Sequence, residues 1–304
     1  MMKGADFLPV FAPGEPPAVT RFAPTPSGYL HIGHAYAALV AWESARAVGG
    51  RFLLRMEDID RQRCRPEFEQ GICDDLRWLG LLWDGPVVRQ SDRMDLYAQA
   101  LSHLDRLGVL YPCFCTRRRI RVEIAHAGQA PHGPAGEAIY PGICRSLDVA
   151  ERRHRIAAGE PYALRLDIGR ALELTGALTW YDVRAGTVRA RPEALGDVVL
   201  ARKDIPTSYH LAVTVDDARQ GVNLVTRGED LFEATHVQRL LQALLGLRAP
   251  RYYHHNLVAD ANGLRLAKRN QAMTLRVLRQ SGRRPDEVWR LLRLPEAAPA
   301  TAAQ

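Results

Sequence analysis

The sequence predicts an α/β fold, a doubly wound parallel sheet carrying an antiparallel insertion. Three observations carry that expectation. Strand-prone runs alternate with helical runs over the first hundred residues and again after Gly196. Between them, Tyr162–Asp167, Leu178–Val183 and Thr187–Arg191 are short alternating segments set off by turn residues. The 304 residues are 47% hydrophobic, enough to bury a sizeable core.

Residues 1–18 hold four prolines and one lysine and read as a loose arm. They do not resemble a secretory leader, so the cytosol is the expected compartment. Val19–Phe22 is a short strand, stopped by Ala23-Pro24-Thr25-Pro26-Ser27-Gly28. A helix then runs from His31 to Ala47, with Leu39, Val40 and Trp42 among alanines, and Val48-Gly49-Gly50 ends it. Arg51–Met56 returns to strand. Pro66–Leu79 is a helix with proline in its first turn, and Ser91–Leu107 carries Met94, Tyr97, Leu101 and Leu104 at helical spacing. After the insertion, Gly196–Leu200, Leu211–Val215 and Val222–Val225 read as strands and Phe232–Leu245 as a helix, before a frayed end at Pro295–Gln304. The organisation expected is 1–18 arm, 19–112 first half of the catalytic domain, 113–195 insertion, 196–250 second half and 251–304 carboxyl-terminal remnant.

Net charge is +7, which favours polyanionic partners. No apolar run reaches the roughly 18 residues that a membrane span needs, so no membrane is expected. Five cysteines, two of them in Cys113-Phe114-Cys115, point to thiol or metal chemistry rather than a disulfide framework. Cys64 and Cys73 read as packing residues.

Arg21 to His34 concentrates the chemistry. A strand enters a rigid proline turn and a helix opens at His31, whose tip offers backbone N–H groups and a partial positive charge to a phosphate. Gly33 lets a flat ligand lie against the backbone. His31 and His34, three apart, share one helix face, from which both could donate to one phosphate.

This segment resembles the "HIGH" signature of class I aminoacyl-tRNA synthetases, in the Arg-Phe-Ala-Pro-Thr-Pro-Ser-Gly form of the glutamyl branch. Arg55-Met56-Glu57-Asp58-Ile59-Asp60, Leu211–Asp217 and Val225–Leu231 resemble three further elements of that branch, in order. The resemblance implies a Rossmann-like catalytic domain that uses ATP with Mg²⁺. His31, Gly33 and His34 would bind ATP, the histidines also serving catalysis. It also implies a glutamate pocket of Arg21, Phe22, Ala23, Pro24, Thr25, Glu57, Tyr209 and Arg227. The chemistry agrees: two carboxylates call for arginines, and one ammonium calls for an acid. Gly263–Arg269 resembles the second nucleotide signature, "KMSKS". It departs from it, since Arg265 stands for the first lysine and Ala267 for the serine, leaving Lys268 as the cation that stabilises the triphosphate.

Cys113, Cys115 and Cys144 could supply three thiolates of a tetrahedral zinc site, with Tyr140, His126 or His132 as the fourth ligand. The Cys-x-Cys…Tyr-x-x-x-Cys pattern is similar to that of one family, the glutamyl-Q tRNA(Asp) synthetases, which implies Tyr140 and one Zn²⁺ per chain. The glycine- and proline-rich run from Gly128 to Gly136 reads as an inserted loop. Few residues follow Arg269, so no anticodon-reading domain is expected, and this short plan resembles the same family. The resemblance implies L-glutamate, ATP and queuosine-containing tRNA(Asp) as partners, and a monomer is expected. The readings weighed against it are a truncated or discriminating glutamyl-tRNA synthetase charging the tRNA 3′ end, and a non-catalytic tRNA- or adenylate-binding module. Basic clusters at Arg117-Arg118-Arg119, Arg152-Arg153 with Arg155, and Arg283-Arg284 are solvated faces or phosphate contacts for the tRNA.

Overall fold

The computed structural model describes residues 15–116, 118, 120, 139–258 and 274–292. In chain order its elements begin β1 (Val19–Phe22), α1 (Ile32–Arg46), β2 (Arg51–Met56), α2 (Pro66–Trp78), β3 (Val88–Arg89), α3 (Met94–Arg106) and β4 (Leu110–Cys113). Next come α4 (Val149–Ala157), β5 (Ala163–Leu166), α5 (Ile168–Thr175), β6 (Thr179–Asp182), β7 (Gly186–Arg189) and β8 (Val199–Ala201). The chain continues through α6 (Tyr209–Arg219), β9 (Leu224–Gly228), α7 (Ala234–Leu244), β10 (Arg251–His255), α8 (Leu275–Gln280) and α9 (Pro285–Leu292). Two compact units form: the chain up to Val88 with Leu224–Asp230 and everything from Tyr253, and Arg89–Asn223 with Leu231–Tyr252.

The first unit follows the strand–helix–strand order expected. β1 and β2 run parallel, Val19 facing Arg51 and Phe22 facing Leu54. α1 is the crossover, packed on β1, β2 and β9. Its buried Ala35, Ala38, Ala41 and Ala45 let the helix approach the sheet closely, while Leu39 and Val40 meet a core of Phe22, Phe52, Leu54 and Met56. Trp42 is only half-buried, with the Arg46 guanidinium over its ring. Tyr253–His255 of β10 run beside β9, and α8 packs on α2.

The second unit contains the antiparallel elements. β4 pairs with β5, Cys113 facing Ala163, and β5 pairs with β8. β6 and β7 form a hairpin, Thr179 opposite Arg189, and β6 runs parallel to β10 at Tyr252 and Asp182. The sequence reading assigns Gly196–Leu200 to the parallel part. Its strand, Val199–Ala201, instead joins the antiparallel sheet through Arg165 and Val199.

Leu211–Val215 is helix rather than strand. Every residue from Leu211 to Asp217 is buried, and a run buried on all sides carries no periodicity to separate helix from strand. What fixes the helix is Asp216. Its carboxylate accepts from Tyr97 Oη at 2.7 Å and Gln90 Nε2 at 2.9 Å, and faces Arg93 Nε at 2.7 Å. A buried charge is tolerable only when surrounded in this way. Among the described residues no helix is long and apolar enough to cross a membrane.

Candidate active site and metal centre

In the first unit the site grows from the carboxyl ends of β1, β2 and β9. Past Phe22 the chain enters the proline turn, and the segment from Glu57 to Arg65, beyond β2, holds that turn in place. Glu57 N–H donates to Pro24 C=O at 3.0 Å, and Arg65 N–H to Pro26 C=O at 3.0 Å. Within the turn, Ser27 N–H donates to Thr25 C=O at 2.8 Å. Phe22 and Pro24 are buried, Ala23 is half-buried and Thr25 is exposed.

His31 is the cap of α1, and the helix starts one residue later, at Ile32. His31 Nδ1 accepts from Gly33 N–H at 3.1 Å, and His31 N–H donates to His34 Nδ1 at 3.2 Å. The rings lie 3.7 Å apart, centre to centre. An imidazole that accepts at Nδ1 carries its proton on Nε2, so both rings are neutral Nε2–H donors. Burial lowers the pKa of both, and with His31 beside it His34 is pushed down to about 3. The expectation of open backbone N–H groups at the helix tip is corrected here: those of His31 and Gly33 are bound by the imidazoles themselves. Gly33 has a different reason too. A Cβ there would sit 3.0 Å from His31 Cε1, so the glycine makes room for the capping ring. Thr274 bridges to His31 and Leu275 N–H donates to Leu30 C=O at 2.8 Å. The chain at Thr274–Leu275 is therefore tied to this turn, and Gly263–Arg269 lies outside the described residues.

Arg21 and Arg227 are both buried, and strands β1 and β9 bring them together. Arg21 Nη1 donates to Thr226 C=O at 3.2 Å, and Arg227 Nε donates to His254 Nε2 at 3.0 Å. Glu57, just beyond β2, is 3.2 Å from Nη2 of the fully buried Arg55. The sequence reading missed His254 and the role of Arg55. Arg55 was legible, because residues two apart on a strand face the same side. No spacing rule leads from Arg227 to His254. Tyr209 belongs to the second unit, at the start of α6, with its ring 5.6 Å from that of His210.

The thiol cluster lies within the second unit. Cys113, Cys115 and Cys144 are buried, with their Sγ atoms all within 4.8 Å of one another. Cys115 and Cys144 sulfurs are 3.4 Å apart, and Tyr140 Oη is 3.4 Å from Cys113 and 3.7 Å from Cys115. Three soft sulfurs and one oxygen match a zinc donor set, whose sulfur–sulfur edge is about 3.8 Å for Zn–S bonds of about 2.3 Å. Cys144 N–H donates to Tyr140 Oη at 2.8 Å, and the Arg165 guanidinium lies 3.8 Å from the Tyr140 ring centre. Burial raises the pKa of Tyr140, and it raises Cys115 to about 11. For Cys113 burial acts upward too, but hydrogen bonds from Tyr140 and Arg165 outweigh it and lower the pKa. Three buried sulfurs and a phenol oxygen that converge in this way fit a bound cation. His126 and His132 lie outside the described residues.

Two of the expected phosphate-binding arginines serve the walls of this cluster. Arg155 is paired with Glu160 at 2.5 Å and lies 4.2 Å over Phe114, while Arg152 donates to Arg145 C=O and lies over Tyr111. Arg284 pairs with Asp286 at 3.1 Å. Arg153 is exposed, and Arg117 and Arg119 lie outside the described residues.

Residues 17–302 match the family described as tRNA synthetases class I (E and Q), catalytic domain. A glutamyl-Q tRNA(Asp) synthetase of Rhodobacter capsulatus is 52% identical over 282 residues, covering 91% of this chain and 100% of that protein. Glutamate–tRNA ligase 2 of Syntrophus aciditrophicus is 36% identical, over 90% of this chain and 56% of the ligase. Among solved structures, a glutamate tRNA ligase from Elizabethkingia meningosepticum, in complex with its amino acid, superposes with a TM-score of 0.71 at 28% identity. That match covers 85% of this chain, which spans about half the length of the ligase (54%). The parallel β1–β2 pair, the histidine-capped crossover and these likenesses together show that the chain belongs to the class I tRNA synthetases of the E and Q branch, a ligase family, and within it to the glutamyl-Q tRNA(Asp) synthetases.

Proposed function

We propose that the chain uses ATP to activate L-glutamate as glutamyl-adenylate and transfers the glutamyl group to the queuosine base of tRNA(Asp). The observation that carries the first half is the pair of buried arginines, Arg21 on β1 and Arg227 on β9, two strands in contact. A dicarboxylic amino acid needs that composition: guanidinium groups for its carboxylates and an acid for its ammonium. Phe22, Ala23, Pro24 and Thr25 would form the wall beside it. The second half is supported by the name and coverage of the Rhodobacter relative.

In the first step the glutamate α-carboxylate attacks the α-phosphorus of ATP, and the bond to pyrophosphate breaks. Protein covalent chemistry is not needed; positioning and charge stabilisation are. His31 and His34 would donate through Nε2–H as neutral dipoles, Gly33 would keep the cap open to the nucleotide, and Lys268 with Mg²⁺ would carry the charge developing on the triphosphate. In the second step a queuosine hydroxyl attacks the adenylate carbonyl and AMP leaves. Cys113, Cys115, Tyr140 and Cys144 would hold Zn²⁺, which when bound supplies a cross-link between β4 and the segment at Tyr140–Cys144. The compartment proposed is the cytoplasm.

Mapping the nucleotide that receives labelled glutamate tests the transfer. Nuclease digestion of charged tRNA is expected to leave the label on queuosine. Label on the terminal adenosine would instead make the chain a ligase that charges the tRNA 3′ end.

A further inference from the structure

We infer that His254 is a positioning residue for glutamate: its neutral imidazole fixes the Arg227 guanidinium at Nε so that the cation is presented to a substrate carboxylate. The inference rests on the proposed role of Arg227 in binding glutamate. It starts from a contact that is buried on both sides, His254 at 3% and Arg227 at 5% exposure, with Nε to Nε2 at 3.0 Å. Accepting from a guanidinium requires the Nε2 lone pair, so the proton of His254 sits on Nδ1 and the ring is neutral in this arrangement.

The chemistry of the acceptor matters. Arginine recognises a carboxylate through a planar fork of parallel N–H groups, and the fork works only if its plane is fixed beforehand. An imidazole nitrogen supplies that fixing hydrogen bond and adds no charge of its own. A carboxylate at position 254 would hold the same atom and also compete with glutamate for the cation. The backbone on either side is equally constrained. At Gly228, next to Arg227, a Cβ would lie 2.5 Å from Asp230 Oδ1 and 2.8 Å from Leu257 Cδ2, so the chain after the arginine is closely packed. On the other side of position 254, the His255 ring meets Tyr36 of α1 edge-on at 5.1 Å. The imidazole thus joins two anchored strands, β9 and β10, at the atom that orients the arginine.

The test is glutamate-dependent ATP–pyrophosphate exchange, run with and without tRNA, for His254→Ala, His254→Gln, Arg227→Ala and the double alanine variant, with melting curves for each. Loss of a hydrogen bond to a charged group predicts that His254→Ala raises KM for glutamate about 10-fold, with kcat and KM for ATP close to wild type. His254→Gln, which keeps a neutral acceptor, is expected to recover most of that loss, and the double variant to be no worse than Arg227→Ala alone. If His254→Ala leaves KM for glutamate unchanged while Arg227→Ala raises it, the inference is wrong and the role of Arg227 stands. If Arg227→Ala itself binds glutamate normally, the underlying reading fails. Equal losses in kcat and in both KM values with a lower melting temperature, no recovery in His254→Gln, or multiplicative effects in the double variant would each reduce His254 to a packing residue and overturn the inference.

Discussion

His31 and His34 in the first unit, and Cys113, Cys115 and Cys144 in the second, are both sets of titratable groups in mutual contact, but their polar atoms are spent differently. Each imidazole gives Nδ1 to a backbone N–H and is left with one outward donor. Burial keeps the rings neutral, which suits an anion that must arrive, react and leave. In the thiol cluster the sulfurs and Tyr140 Oη instead converge on one another. Burial raises the pKa of Cys115 and Tyr140 there, and a resident cation would make the gathered donors favourable. The lesson is that convergence marks a permanent ligand, whereas self-capping with one free direction marks a passing one.

Lys268→Ala should produce the largest change on the anionic side, lowering adenylate formation by about 10²-fold or more, since it removes a full charge from the developing triphosphate. The rate of pyrophosphate exchange is the readout, and an unchanged rate would leave the histidine cap to act alone. On the thiol side, Cys144→Ser is expected to weaken metal binding by more than about 100-fold, the range that changes one layer outside a metal already reach. Metal analysis of protein purified without chelator checks this: about one Zn²⁺ per chain for the wild type, against almost none for the variant. Parent and variant both free of metal would show that the cluster is an ordinary packing site.

Much of this contrast is legible in the sequence, and the exceptions have physical causes. β1 and β2 carry strand-forming side chains between proline, glycine and acidic breaks, and their predicted limits coincide with the observed ones. Leu211–Val215 reads as a strand because total burial erases periodicity. α4 has few apolar residues to mark it and α5 is short, although Asp148 and Asp167 cap them by accepting from Glu151 N–H and Arg170 N–H; the caps announce them better than the hydrophobic pattern does. In β10, Arg-Tyr-Tyr-His-His reads as a polar run, although Tyr252, Tyr253, His254 and His255 are all buried. The histidine and cysteine motifs are visible because their members are close in sequence. The Arg227–His254 contact is not, because only the adjacency of β9 and β10 creates it.

A smaller effect comes from Asp75 in α2, fully buried and 3.3 Å from Arg279 of α8. Burial raises its pKa to about 6, despite Arg279 pulling the other way. The folded state therefore holds this proton more tightly than the unfolded chain, whose aspartates titrate near about 3.9. Between those values folding gains stability as pH falls, on the order of 1 kcal/mol from pH 7 to pH 5. Denaturant melts of Asp75→Asn should lack that rise; an equal rise in the variant would assign it to another group. The smallest effect expected is none at all. Because burial and the neighbouring His31 push His34 down to about 3, the rate of exchange should show no ionisation of His34 between about pH 5 and 8. A loss of rate on raising pH through about 6.5, abolished in His34→Gln, would mean that an imidazolium is needed and would break the contrast drawn with the thiols.

Amino-acid-dependent ATP–pyrophosphate exchange by the full chain tests the central claim most directly. The account predicts exchange with L-glutamate, far weaker exchange with L-glutamine or L-aspartate, and a raised KM for glutamate when Arg21 or Arg227 is replaced by alanine. No exchange with glutamate, whether tRNA is present or not, would contradict it.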